Sequence, residues 1–321
     1  MVRKEKNIAI SLLCRSPNII WLNFLNNFYQ YDIFIFIDDN TKDYANLFNI
    51  KNSKLTIIQI PDDYCKSHGY YNSLIPTGNV PNKPLSWDKA LFYFCRLNKS
   101  YEYVWFIEDD VFVLKEDIFK KIDNYNNADL CVPFNDINTT GSHEGWTHWH
   151  MLDSKFSLPW CRSMVCACRL SKRLLEEVKG YVDNHKILLY HEFMFNTIAY
   201  QKGFSIECPQ ELSTIEYNTP WNENNLNLEK MYHPIKDINL HHKLRCTNNI
   251  YFDNLYNNYD YNNAILFNFN EEYFLLKYMK FPEDFDFEVY KKNIENSDIW
   301  TYENLAFHWF HYGQYENIIY K

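Results

Sequence analysis

Four short apolar runs in the first 107 residues, separated by helix and turn signals, limit the architecture this chain can adopt. They are Asn7–Leu13 (NIAISLL), Ile33–Ile37 (IFIFI), Lys54–Ile60 (KLTIIQI) and Tyr103–Ile107 (YVWFI). Near-continuous apolar runs of this length suit strands covered on both faces. Helix signals lie between them. Asn18–Gln30 reads as a helix opened by Ser16 as cap and Pro17 at the first position. Ser86 reads as the cap of another helix, with Asp88 suited to its positive end. Strands alternating with helices specify an α/β fold with a mostly parallel central sheet and right-handed crossovers.

The pattern continues less regularly. Lys115–Tyr125 reads as helix, and Asp129–Pro133 and Ser163–Cys168 as strands. Ser171 caps a helix to about Val182, and His191–Gln201 is helical with Gly203 as its stop. Phe204–Cys208 and Ser213–Tyr217 read as late strands. Residues 61–85 are loop-rich. Residues 135–160 are irregular and carry Trp146, His148, Trp149, His150 and Trp160. The Asn/Tyr-rich stretch 248–263 reads as a linker, and the pattern from Phe269 onward is helical. The expected division is an α/β domain over 1–250, then a linker and a small C-terminal helical module over 251–321.

Composition excludes several classes. A net charge of −9 argues against a nucleic-acid partner, which needs a basic face. No run of ~18 apolar residues occurs, so no membrane span is expected. Met1–Lys6 leads into the first strand without an apolar signal segment, and nine cysteines show no framework spacing. Reduced thiols and a cytoplasmic protein are the expectation. Aromatics make up 18% of the chain. AT-rich codon usage accounts for most of that excess, and aromatic clusters also suit sugar stacking.

The chemistry-bearing residues cluster at strand ends. In extended backbone, residues i and i+2 face the same way, so Glu108 and Asp110 after the fourth run can share a site. Adjacent carboxylates call for a cation, and oxygen ligands suit Mg²⁺ or Mn²⁺. The same triplet also suits a solvated acidic turn. Asp38-Asp39, after the second run, can accept hydrogen bonds from a ribose or base N–H, or simply form a turn. In His233-Pro234-Ile235-Lys236, the imidazole can bind metal and the lysine can neutralise phosphate. Glu192 at a helix start can act as a general base or complement the helix dipole. Cys161, Cys166 and Cys168 lack a second pair for a zinc knuckle. His148 and His150 suit zinc or an ordinary loop. There is no GxGxxG, Walker A or GxSxG motif.

In their order along the chain, these features resemble the GT-A-fold glycosyltransferases, including those of large DNA viruses and bacteria. The likeness covers roughly residues 7–245. It implies a Rossmann-like domain whose DxD motif is Glu108-Asp109-Asp110, with Glu in place of the first Asp. It implies Mn²⁺ or Mg²⁺ held by Glu108, Asp110 and His233, with Asp109 beside the donor. It implies donor contacts from Arg15, Asp38, Asp39, Asp88, Lys89 and Lys236. The donor is a UDP- or GDP-sugar and the acceptor a carbohydrate or glycoprotein hydroxyl, with Trp146 and Trp149 shaping the sugar pocket. His191-Glu192 is similar to the family's "ED" helix start, which makes Glu192 the base of an inverting reaction. The tail, with Tyr290, His308-Trp309, Tyr312-Gly313 and Glu316, is similar to a helical module found beside such enzymes, although Asn317-Ile318 stands where Gly-Arg is expected. Two other functions fit the same residues: a metal-dependent phosphoesterase using His148 and His150, and a non-catalytic carbohydrate-binding relative.

Overall fold

The computed structural model describes residues 7–50, 54–74, 83–152, 155–221, 223–252, 254–256, 259–294, 296–316 and 318–321. The first half of the chain supplies β1 (Ile8–Cys14), α1 (Ile19–Leu25), β2 (Asp32–Ile37), α2 (Tyr44–Phe48), β3 (Leu55–Ile58), α3 (Asp62–Ser67), α4 (Ser86–Phe92), β4 (Tyr103–Glu108) and α5 (Asp117–Tyr125). Next come β5 (Leu130–Cys131), β6 (Asp136–Asn138), β7 (Trp160–Arg162), β8 (Ala167–Ser171), α6 (Lys172–His185) and α7 (His191–Gln201). The chain ends with β9 (Ile206–Glu207), β10 (Thr214–Ile215), β11 (Tyr232–His233), α8 (Ile238–Thr247), α9 (Glu271–Tyr278), α10 (Phe287–Lys292) and α11 (Tyr302–His308). Among the described residues, no helix is long and apolar enough to cross a membrane.

The fold is α/β, as the run pattern specifies. Seven strands form one sheet in the order β3-β2-β1-β4-β8-β5-β9. Pairing is parallel except at β8, which runs antiparallel to both β4 and β5. Every residue of β1 is buried, as expected for a central strand covered on both faces. One face packs Ile10, Leu12 and Ile35 with Trp21, Phe119 and Leu244. The other packs Ala9 and Leu13 with Leu91, Phe92, Val178 and Phe195. Phe274, Leu275, Tyr290 and Leu305 from α9 to α11, and Phe310 just after α11, belong to that second layer.

Local chemistry moves several boundaries. Asn18, not Ser16, caps α1, accepting from Ile20 N–H at 2.8 Å, and the helix ends at Leu25 rather than Gln30. Leu85 caps α4, because Asp88 reaches back to its N–H at 2.8 Å, and Ser86 becomes the first helical residue. The run 163–168 is not one strand. Ser163 N–H turns aside to the Glu192 carbonyl at 2.8 Å, which separates β7 from β8. Ser171 does cap α6, accepting from Leu174 N–H at 3.2 Å. Ser171→Ala should lower unfolding free energy by about 1 kcal/mol, read as a lower urea midpoint at unchanged slope.

Two tethers place the later chain over the sheet. Phe112 and Tyr232 exchange backbone hydrogen bonds of 2.8 and 3.0 Å, and Ile235 N–H donates to the Asp110 carbonyl at 2.8 Å. Arg245, fully buried on α8, donates from Nε and Nη2 to the Val113 carbonyl at 3.2 and 3.0 Å. The chain leaves β1 toward β2 and β3 on one side and returns to β4 on the other. The crevice at the carboxyl ends of β1 and β4 is therefore the switch point where open α/β sheets bind ligands.

Candidate metal and donor site

Glu108 is the last residue of β4, so its carboxylate leaves the sheet at that crevice. Trp87 Nε1–H donates to Glu108 Oε1 at 2.7 Å. The Trp87 ring is itself fixed between Phe106 (5.3 Å between centroids) and His191 (4.4 Å). Nδ1 of His191 bonds to the Ser73 carbonyl, and burial lowers the His191 pKa to about 4, so the ring is neutral. His191 thus acts as a brace for Trp87 rather than as a proton carrier.

The tethers bring β11 to this carboxylate. His233 Nε2 lies 3.4 Å from Asp110 Oδ1 and 4.0 Å from Glu108 Oε2. Its Nδ1 donates to the Glu216 carbonyl at 2.5 Å, which leaves Nε2 facing the acids. Burial lowers the His233 pKa, but Asp110 and Glu108 outweigh it and the net shift is upward. Burial, then Asp110, raise the Glu108 pKa. Asp110 Oδ1 is buried, with the His233 imidazole at 3.4 Å as its facing partner. An oriented imidazole facing two acids, at 3.4 Å from Asp110 and 4.0 Å from Glu108, is a donor set that a divalent cation would draw together. Among the described residues, one cluster of His, Cys and acid ligands has its donor atoms within 4.8 Å of one another: Glu108, Cys166 and His233.

Glu192, in the first turn of α7, lies within electrostatic reach of Glu108 and His233. Burial and the Glu108 charge raise its pKa to about 7, against a bond from Tyr190 and attraction from Arg162 and His233. The Tyr190 ring stacks on Trp146 (6.1 Å, 16°), and the Arg162 guanidinium lies 5.0 Å from the Trp146 ring centroid. Trp149 is buried and packs on Trp146 and Trp160.

The remaining residues named from sequence are placed differently. Both oxygens of Asp88 accept protein N–H groups, from Ser73 at 2.9 Å and Leu85 at 2.8 Å. Lys89 is fully buried, and its Nζ donates to the carbonyls of Ile37 and Asp38 and pairs with Asp62 at 3.1 Å. Asp38 accepts from Ser86 N–H. Asp38 and Lys89 hold the β2 end against α4, and Asp88 ties Ser73 to the start of that helix. Asp39 is half-exposed at the same end, accepting from Thr41 N–H and Tyr44 O–H. Arg15, Asp109 and Lys236 are exposed around the crevice. Asp109 N–H is fixed to the Leu13 carbonyl at 3.1 Å. His148 packs on Trp146 and Tyr190, and His150 donates from Nδ1 to the Thr147 carbonyl at 2.7 Å.

Sequence reasoning did not find Cys166 or Trp87 as parts of this site. Cys166 carried one usable signal, its place in a strand-like run after the acidic triplet. Its partner depended on pairing that local pattern does not encode. Trp87→Phe keeps a ring between Phe106 and His191 but removes the donor to Glu108. Divalent-cation affinity should fall by about 10–100-fold, read by calorimetric titration with Mn²⁺.

No family model matches the chain, and no curated protein matches its sequence. Among solved structures, it is similar to the Mn/GDP form of core-mannan synthase A from Aspergillus fumigatus. That likeness has 10% identity and a TM-score of 0.30, over 63% of this chain and 70% of the other. It is also similar to the apo form of mouse xyloside xylosyltransferase 1, with 10% identity and a TM-score of 0.31, over 63% of this chain and 84% of the other. At these TM-scores the likeness assigns neither activity nor ligand.

Proposed function

We propose that the chain is a metal-dependent glycosyltransferase that moves a sugar from a nucleotide-sugar donor to a carbohydrate or glycoprotein hydroxyl with inversion. One observation carries this reading. At the switch-point crevice, His233 Nε2 faces the Asp110 and Glu108 carboxylates at 3.4 and 4.0 Å, while Glu192 lies within electrostatic reach of Glu108 and His233 with its pKa raised to about 7. Glu108, Asp110 and His233 would hold Mn²⁺ or Mg²⁺, which supplies Lewis-acid stabilisation of the departing diphosphate when bound.

The chain's own residues do the rest. Exposed Arg15 and Lys236 add positive charge at the crevice rim for the donor phosphates. Asp39 and Asp109 offer acceptors at the strand ends for the nucleoside and sugar hydroxyls. The stacked pair Trp146 and Tyr190 lies beside Glu192 and offers apolar ring surface and a hydroxyl to an acceptor sugar. Glu192 takes the proton from the acceptor hydroxyl, and the oxygen attacks the anomeric carbon from the face opposite the leaving group. Asp38 and Lys89 serve this reading by fixing the loop at the β2 end, and Asp88 by tying Ser73 to the start of α4.

A panel of UDP- and GDP-sugars, each with and without Mn²⁺, tests the proposal. The expected result is transfer or slow donor hydrolysis that stops on chelation. Full turnover in chelator removes the metal role. Retention of configuration at the anomeric carbon removes Glu192 as an inverting base. Sugar binding without any donor turnover favours the non-catalytic relative instead.

A further inference from the structure

We propose that Cys166 gives this site a second ligand set, Glu108–Cys166–His233, which takes a thiophilic divalent cation such as Zn²⁺ or Cd²⁺ and so excludes the cation that prefers oxygen. The thiophilic set stands on three side chains alone. Its regulatory consequence rests on the metal-dependent reading above.

Strand pairing creates the set. The β4–β8 ladder pairs Ile107 with Ala167, and one step further Glu108 N–H donates to the Cys166 carbonyl at 2.9 Å. Directly opposed residues put their side chains on the same face. The thiol and the Glu108 carboxylate therefore meet as neighbours, within 4.8 Å of each other. The Phe112–Tyr232 bridge then delivers His233, and the three donor atoms lie within 4.8 Å of one another. A tetrahedral zinc site needs its ligands about 3.3–3.6 Å apart, so modest side-chain movement closes the set. A donor set of sulfur, imidazole nitrogen and carboxylate selects zinc-like ions, whereas Mg²⁺ and Mn²⁺ prefer the oxygen-rich alternative with Asp110. Both sets use Glu108 and His233, so only one can be filled at a time. On binding, the Cys166 sulfur bonds to the metal and its proton leaves to solvent, with no change of oxidation state. Zn²⁺ would then inhibit Mn²⁺-dependent turnover by competing with Mn²⁺.

The test uses Cd²⁺ as probe and reads the ultraviolet thiolate-to-cadmium charge-transfer band. Cys208 is exposed, and Cys246 is partly exposed with its Sγ 3.6 Å from His242 Nε2, so both are first replaced. The Cys208→Ser/Cys246→Ser protein should show a saturable band at one equivalent of Cd²⁺. Adding Cys166→Ser should abolish it, and Glu108→Gln or His233→Gln should raise the midpoint by at least about 10-fold. No saturable band, or one that survives Cys166→Ser, overturns the proposal. If Cys166→Ser does not fold, an unchanged midpoint in both other variants overturns it. The two readings fail separately. A band without Mn²⁺-dependent transfer keeps the thiophilic set and removes glycosyl transfer. Zn²⁺-insensitive, Mn²⁺-dependent transfer with no band does the reverse.

Discussion

In Asp110→Asn, cation-dependent donor turnover should fall by about 10³-fold, the equivalent of roughly 4 kcal/mol of lost charge stabilisation. The fold should survive. The Asp110 side chain meets His233 at 3.4 Å, a contact that an amide oxygen can keep, and the tether to Ile235 uses the backbone carbonyl, which the substitution keeps. Removing the charge also relieves Glu108 and Asp109, whose pKa values Asp110 helps to raise. A thermal midpoint equal to or above that of the parent, with lost Mn²⁺ binding by titration, is the expected pair of results. Parent-like Mn²⁺ affinity in this variant would take Asp110 out of the metal set.

Glu192→Gln should cost about 10²–10⁴ in turnover while leaving donor and Mn²⁺ affinity in place. Its pH behaviour gives a second reading. Burial raises the Glu192 pKa to about 7, and only the deprotonated form accepts a proton. Parent activity should therefore rise with pH through about 7, and the residual activity of the variant should not. Stability moves in the opposite sense. Ionising a buried acid whose folded pKa exceeds its unfolded value weakens the fold as pH climbs from the ordinary glutamate range through about 7. Glu192→Gln escapes that cost and should be more stable than the parent at pH 8, by on the order of 1–3 kcal/mol, and near-equal at pH 4. Urea midpoints at the two pH values check this. An unchanged pH profile in the variant would remove Glu192 as base.

The strand framework was legible because its signal is local. Each of the four apolar runs became a strand within a few residues of its expected bounds, and His191–Gln201 formed over the expected span. Glu108 was legible for the same reason, as the polar end of an apolar strand. Cap identity was less so. Asn18 and Ser16 are both good caps, and a downstream N–H chose between them. Lys89 and Asp88 look like binding residues in sequence, yet burial leaves their polar groups only protein partners. Cys166 was not legible because its neighbour is 58 residues upstream, across an antiparallel pairing that no local pattern announces.

The Phe112–Tyr232 bridge has a mechanical consequence. Asp110 and His233 are 123 residues apart in sequence but 3.4 Å apart in space. A cation held by both is a reversible cross-link that closes a loop of that length, the span over which closure restricts an unfolded chain strongly. Loaded with metal, the segment from β10 to α8 would be stapled to the sheet. Stripped of it, that segment would keep the bridge, the Ile235 contact, Arg245 and the core packing of Tyr232, Ile235 and Leu244, and would lose the cross-link.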